Sequence, residues 1–82
     1  MKVGMIVGSG TPSAVIDYQE QREYERGDGV KFAEGKVLCA RDATPHPYVI
    51  WSYQQLVGTS IVDVFNGSYF ATLEEAIAKW WP

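Results

Sequence analysis

The chain of 82 residues holds one cysteine and one histidine. A single Cys39 excludes an internal disulfide framework and a zinc site built on cysteines. Long apolar runs are also missing. The stretch Val3–Val7 is broken by Gly4 and stops at Gly8-Ser9-Gly10. A secretory signal needs roughly 7–15 apolar residues and a cleavage site, so none is expected. No window approaches the ~20 apolar residues of a membrane-spanning helix, so no membrane partner is expected. Positive charge is scarce: seven basic residues stand against ten acidic ones, a formal charge of −3. That balance speaks against a partner held through phosphates, nucleic acid included.

What is present fits one globular domain, residues 1–82, with 46% apolar and 21% charged residues. The lone thiol suits a reducing compartment and gives a cytoplasmic expectation. A domain this short has a thin stability margin and gains from a dense aromatic core or from association with another chain. Aromatic residues make up 13% of the chain, Trp51, Trp80 and Trp81 among them. Each removes roughly 150–250 Å² from water when buried.

Along the chain, Lys2–Val7 reads as a short strand ending in the turn formers Gly8-Ser9-Gly10-Thr11-Pro12. Thr11 as N-cap, Pro12 in the first helical position and Gly27 as stop then predict an N-terminal helix. Good helix formers fill Gln19–Arg26. The rival reading is a strand at Ala14–Tyr18 followed by a polar loop. Gly27-Asp28-Gly29 is a turn, Val30–Ala33 a brief strand and Lys36–Arg41 another strand. A loop follows at Asp42–Pro47, then the clearest strand at Tyr48–Tyr53, rich in β-branched and aromatic residues. Gln54–Thr59 reads as a loop and Ser60–Phe65 as a strand. Asn66-Gly67 predicts a type I′ hairpin turn, since both residues tolerate positive φ, with Ser68–Ala71 as the return strand. Thr72 to Glu75 fits a capping box. Leu73, Ala76, Ile77 and Trp80 then form one apolar helical face, and Glu75 and Lys79 an i,i+4 pair.

The expected architecture is α+β: an antiparallel meander of about four strands, a C-terminal helix packed on one face and an N-terminal helix. The alternative is a small SH3-like β-barrel with a C-terminal helix, its first strands at Lys2–Val7 and Ala14–Tyr18.

Charge and aromaticity are distributed unevenly. Six of the ten acidic residues lie between Asp17 and Glu34, and eight of the eleven aromatics lie between Tyr48 and Trp81. No charge occurs from Tyr48 to Val62. Strand alternation puts Val49, Trp51 and Tyr53 on one face and Tyr48, Ile50 and Ser52 on the other. Both faces are largely apolar and need cover. The C-terminal helix covers one. The N-terminal helix, the far wall of a barrel or a second copy must cover the other. Trp81 lies about 100° from Trp80 around the helix, off its apolar face.

These features predict a small, soluble, non-enzymatic interaction module that forms a homodimer or binds a protein partner. Its contact set is Tyr48, Ile50, Tyr53 and Trp81. The alternative is a small-ligand or nucleotide binder with a pocket at Gly8–Ser13 or Asp42–Pro47, using Gly8, Ser9, Gly10, Thr11 and His46. Glycines before a helix let backbone amides approach a phosphate, but Ser13 stands where the fingerprint needs glycine and Pro12 lacks the amide. Cys39 and His46 are the one nucleophile–base combination available. Cys39 follows Leu38 in a strand, as a buried apolar cysteine does, and no third group orients the histidine. No catalytic residue is assigned. Asp42 and His46 lack the spacing of a metal set, and no metal or cofactor is expected.

Overall fold

In a computed structural model, which describes residues 1–8 and 11–81, five strands are followed by one helix. The strands are β1 (Ile6–Val7), β2 (Ser13–Glu25), β3 (Lys31–Arg41), β4 (Tyr48–Leu56) and β5 (Val62–Phe70). The helix α1 spans Leu73–Trp80. Neighbouring strands pair antiparallel in the order β1-β2-β3-β4-β5, a meander that curls into a half-barrel.

The expected N-terminal helix is replaced by the 13-residue strand β2. The rival strand at Ala14–Tyr18 marks its first part, and Gln19–Glu25 continues it. A helix here would have left β3 without a neighbour on that side. As a strand, this segment pairs with β3 from Ser13↔Arg41 to Glu25↔Lys31. Pairing with a neighbour overrides the helix preference of Glu, Gln and Arg, because their side chains stay in solvent either way. Gly27-Asp28-Gly29 is the hairpin turn of this unit. The Asp28 carboxylate accepts from the Val30 amide at 3.1 Å, and Gly29 has φ 85°. The amide bond, followed by the Arg26 guanidinium, holds the exposed Asp28 carboxyl below its ordinary range.

Asn66-Gly67 is not a chain reversal. It lies inside β5, where Ile50↔Ser68 and Ser52↔Phe65 leave two residues opposite Trp51. Asn66 takes φ 53° at this bulge. Of the two positive φ values that a type I′ turn needs, only that of Asn66 is present, and it serves an extra residue in a strand. The reversal falls earlier, at residues 57–61. There Gly58 has φ 84°, Leu56 donates to the Ile61 carbonyl at 3.0 Å, and Ile61 donates to the Thr59 hydroxyl at 3.1 Å.

Alternation along the strands gives the sheet two apolar sides. Val15, Val37, Cys39, Val49, Trp51 and Tyr53 fill the concave side with Val7, and Met1, Met5, Val62 and Val64 pack against them. Leu38 belongs to the other side, where Ala76 and Trp80 of α1 cover it together with Ile16, Tyr48, Ile50 and Phe70. Thr72 caps α1 as its sequence requires, accepting from the Glu75 amide at 3.2 Å. The far end of the helix is tied to β2. The Trp80 indole N–H donates to the Asp17 carboxylate at 3.1 Å, and the Gln19 amide donates to the Trp80 carbonyl at 3.4 Å.

Two glycines fix how the strands approach one another. A Cβ on Gly35 would overlap the Gln19 carbonyl of β2, beside the register break between Glu20 and Arg22. A Cβ on Gly67 would overlap the Trp51 indole and crowd the Tyr69 hydroxyl. Only glycine admits these contacts.

Candidate functional site

The residues expected to meet a partner are distributed over both sides of the sheet. Tyr48 and Ile50 lie half-buried beneath α1. Tyr53 is 1% exposed on the concave side, so it has no area left to offer. Burial, then the Glu20 and Tyr18 charges, push its hydroxyl up to about 12. Trp81 is 61% exposed. The four do not form one surface. The side that the C-terminal helix leaves uncovered is closed by the curl of the sheet itself and by the N-terminal segment. Of the covers the sequence allows, the far wall of a barrel is met in part: the sheet is a half-barrel with a cleft between β1 and β5.

The ligand candidates are likewise separated. Gly8 lines a cleft of about 340 Å³ with Ile6, Val7, Val62, Asp63 and Val64. A Cβ on it would stand 3.6 Å from the Trp51 ring. Thr11 is exposed, and its carbonyl accepts from the Ser13 hydroxyl at 3.3 Å. Ser9 and Gly10 lie outside the described residues. The segment enters a strand, not a helix, so no helix N-terminus is available there for a phosphate. His46 stands exposed in the loop between β3 and β4, where its carbonyl accepts from Arg41 Nε at 3.2 Å. Cys39 is fully buried, and burial pushes its thiol up to about 12. A nucleophile needs the opposite shift and an open site.

A different arrangement emerges at the free edges. β1 and the segment before it pair with β2 as far as Val15, where Gly4 donates to the Val15 carbonyl at 2.8 Å and Val15 to the Met5 carbonyl at 2.9 Å. From there to Glu25, among the described residues, β2 has no neighbour on that side. β5 is the other free edge. The cleft lies between it and β1, and a second hollow of about 630 Å³ continues it past Met1, Val3, Met5, Gln55 and Ser60. Nine large apolar or aromatic side chains are exposed among the described residues. Three of them, Val3, Ile6 and Ile61, stand on the N-terminal segment or at the entry to β5, whereas Phe65 lines a separate hollow with Gln21, Gly35 and Tyr53 and Tyr69 lies under Arg41. The sequence marks this region only weakly, because Val3 and Ile6 read as strand interior until the short length of β1 is known.

Beyond the reach of α1, the outer side of the sheet carries Tyr24 stacked on Phe32 at 5.7 Å. Arg22 lies over the Tyr24 ring at 4.7 Å and Arg26 over Phe32 at 5.1 Å. Both guanidiniums are also paired, Arg22 with Glu34 and Arg26 with Asp28. The rings are occupied by the protein's own cations and offer no stacking platform for bases.

Among the described residues no group of three or more His, Cys, Asp or Glu side chains is placed to hold a metal ion. No helix there is long and apolar enough to cross a membrane. No family model matches the chain, and no curated protein or solved structure is significantly similar to it.

Proposed function

We propose that the protein is a small non-enzymatic interaction module that self-associates through the side where β1 approaches β5. The observation that carries this reading is the collection of exposed apolar side chains there, with Val3 65% and Ile6 and Ile61 each 61% exposed. Lone exposed apolar residues are ordinary, but a cluster flanking a cleft is the mark of a contact surface. Small domains gain stability by covering such a cluster with a second copy. The homodimer expected from the sequence is therefore retained, and its surface moves from the Tyr48 side to the seam.

Light scattering on a sizing column tests the reading. A dimer is expected, and Ile6→Lys together with Ile61→Lys should return it to monomer without loss of the folded spectrum. A wild-type chain that stays monomeric at every concentration reached rejects self-association.

A second reading, a small-ligand binder, is favoured by Gly8 lining the cleft between β1 and β5. A thermal-shift screen against nucleotides and metabolites separates it, since only a ligand held by the folded chain raises the midpoint.

A further inference from the structure

Two lysines far apart in sequence meet at one hollow on the helix side of the sheet. Lys36 of β3 and Lys79 of α1 line a pocket of about 280 Å³ together with Ile50, Ser68 and Phe70. Ile50 and Ser68 are direct partners across β4 and β5, and they place a hydroxyl beside an apolar side chain on the pocket wall. Among the described residues neither lysine has a carboxylate within 4 Å; the ion pairs there are Arg22–Glu34 and Arg26–Asp28. The i,i+4 spacing of Glu75 and Lys79 does not produce an ion pair, and Lys79 lines the pocket instead. Among the described residues Lys2 and Lys31 are also without an ion pair, and what sets Lys36 and Lys79 apart is that both line this one hollow. Like charges brought together repel unless an anion lies between them.

We infer that this pocket binds a small carboxylate with a short apolar tail. The ammonium groups of Lys36 and Lys79 and the Ser68 hydroxyl hold the carboxylate through charge-assisted bonds, and Ile50 and Phe70 receive the tail. Apolar lining with a few converging polar groups is the usual constitution of a small-ligand site, and this volume falls just below the usual range, which suits a small ligand. The pocket faces away from the concave side, so its occupancy is independent of self-association at the seam. The same chemistry is offered by a free short-chain acid and by the carboxyl end of a peptide.

Calorimetric or NMR titration with octanoate and with N-acetylleucine tests the inference and separates these two sources by which binds more tightly. A dissociation constant of about 1 mM or below is expected for one of them. The corresponding neutral amides should bind at least about tenfold more weakly, and so should Lys36→Gln and Lys79→Gln, both on exposed side chains. Chemical-shift changes should centre on Ile50, Ser68 and Phe70. Absence of binding by both acids, equal binding of the amides, or affinity unchanged in both variants would overturn it.

Discussion

The two free edges of the sheet are protected by different means. β2 presents its open backbone along Ile16–Glu25, a stretch with Asp17, Glu20, Glu23 and Glu25, and breaks its register between Val15 and Asp17 and again between Glu20 and Arg22. Charge and bends both discourage another strand from pairing there. β5 has Asp63 as its one charged residue and a single break at Asn66-Gly67. Its first half is instead flanked by Ile6, Val7 and Gly8 across the cleft. One edge is thus guarded by repulsion and the other by a neighbouring segment of the same chain. The second means leaves apolar side chains exposed around it, which is why the proposed contact lies there.

The largest test of this contrast is Gly35→Ala. The added methyl would meet a backbone carbonyl of β2, which cannot yield without opening the β2–β3 ladder. A loss of more than about 3 kcal/mol is expected in urea unfolding. On the opposite edge, Gly67→Ala meets the Trp51 ring, and a side chain can shift where a backbone cannot. The expected cost is about 1–3 kcal/mol. An equal cost at both positions would remove the distinction between the two bends.

Asn66→Ala isolates the backbone conformation of the β5 bulge. At φ 53° an alanine costs about 1–2 kcal/mol, whereas Asn66→Gly should stay within about 0.5 kcal/mol. Replacing Glu20, Glu23 and Glu25 together by threonine removes the repulsion on β2. Monomer stability should move by less than about 0.5 kcal/mol, because these side chains are exposed. Light scattering should nonetheless show concentration-dependent species larger than the wild-type dimer; none would mean that the bends alone protect this edge.

At neutral pH the smallest effect belongs to two groups on the middle strands, Cys39 and Tyr53, whose protons are held up to about 12 against ordinary values of 9.0 and 10.0. The unfolded chain releases these protons first as pH rises. Their contribution to stability is complete below about pH 9 and is lost progressively toward pH 12. Thermal midpoints should be insensitive to these groups at pH 7–8 and fall above pH 9, and Cys39→Ala should blunt the onset of that fall.

The sequence disclosed some of this through local chemistry. The Thr72 cap and the apolar face of Leu73, Ala76 and Trp80 are written within one helix, and α1 follows them, while Ile77, expected on the same face, is exposed. The strand at Tyr48 is equally legible, and its alternation assigns Val49, Trp51 and Tyr53 to one side as found. Gln19–Glu25 was not legible as a strand. Its residues favour a helix in isolation, and the deciding term is pairing with β3. Tyr24 and Phe32, symmetric about Gly27-Asp28-Gly29, are the signal that points to a hairpin. Asn66-Gly67 marks an irregular backbone correctly at Asn66, but Gly67 does not take positive φ and the chain does not reverse there. The candidate site was the least legible part. Exposure at the seam depends on how short β1 is, and the meeting of Lys36 with Lys79 depends on where the helix lies over the sheet.

The bond from the Trp80 indole to Asp17 joins residues 63 positions apart. It means that the helix side of the molecule cannot be assembled from its C-terminal half alone. During synthesis, the first hairpin has to wait for the last turn of the helix to leave the ribosome before Leu38 and Ile16 gain their cover. Such a dependence on distant residues slows folding and makes it cooperative.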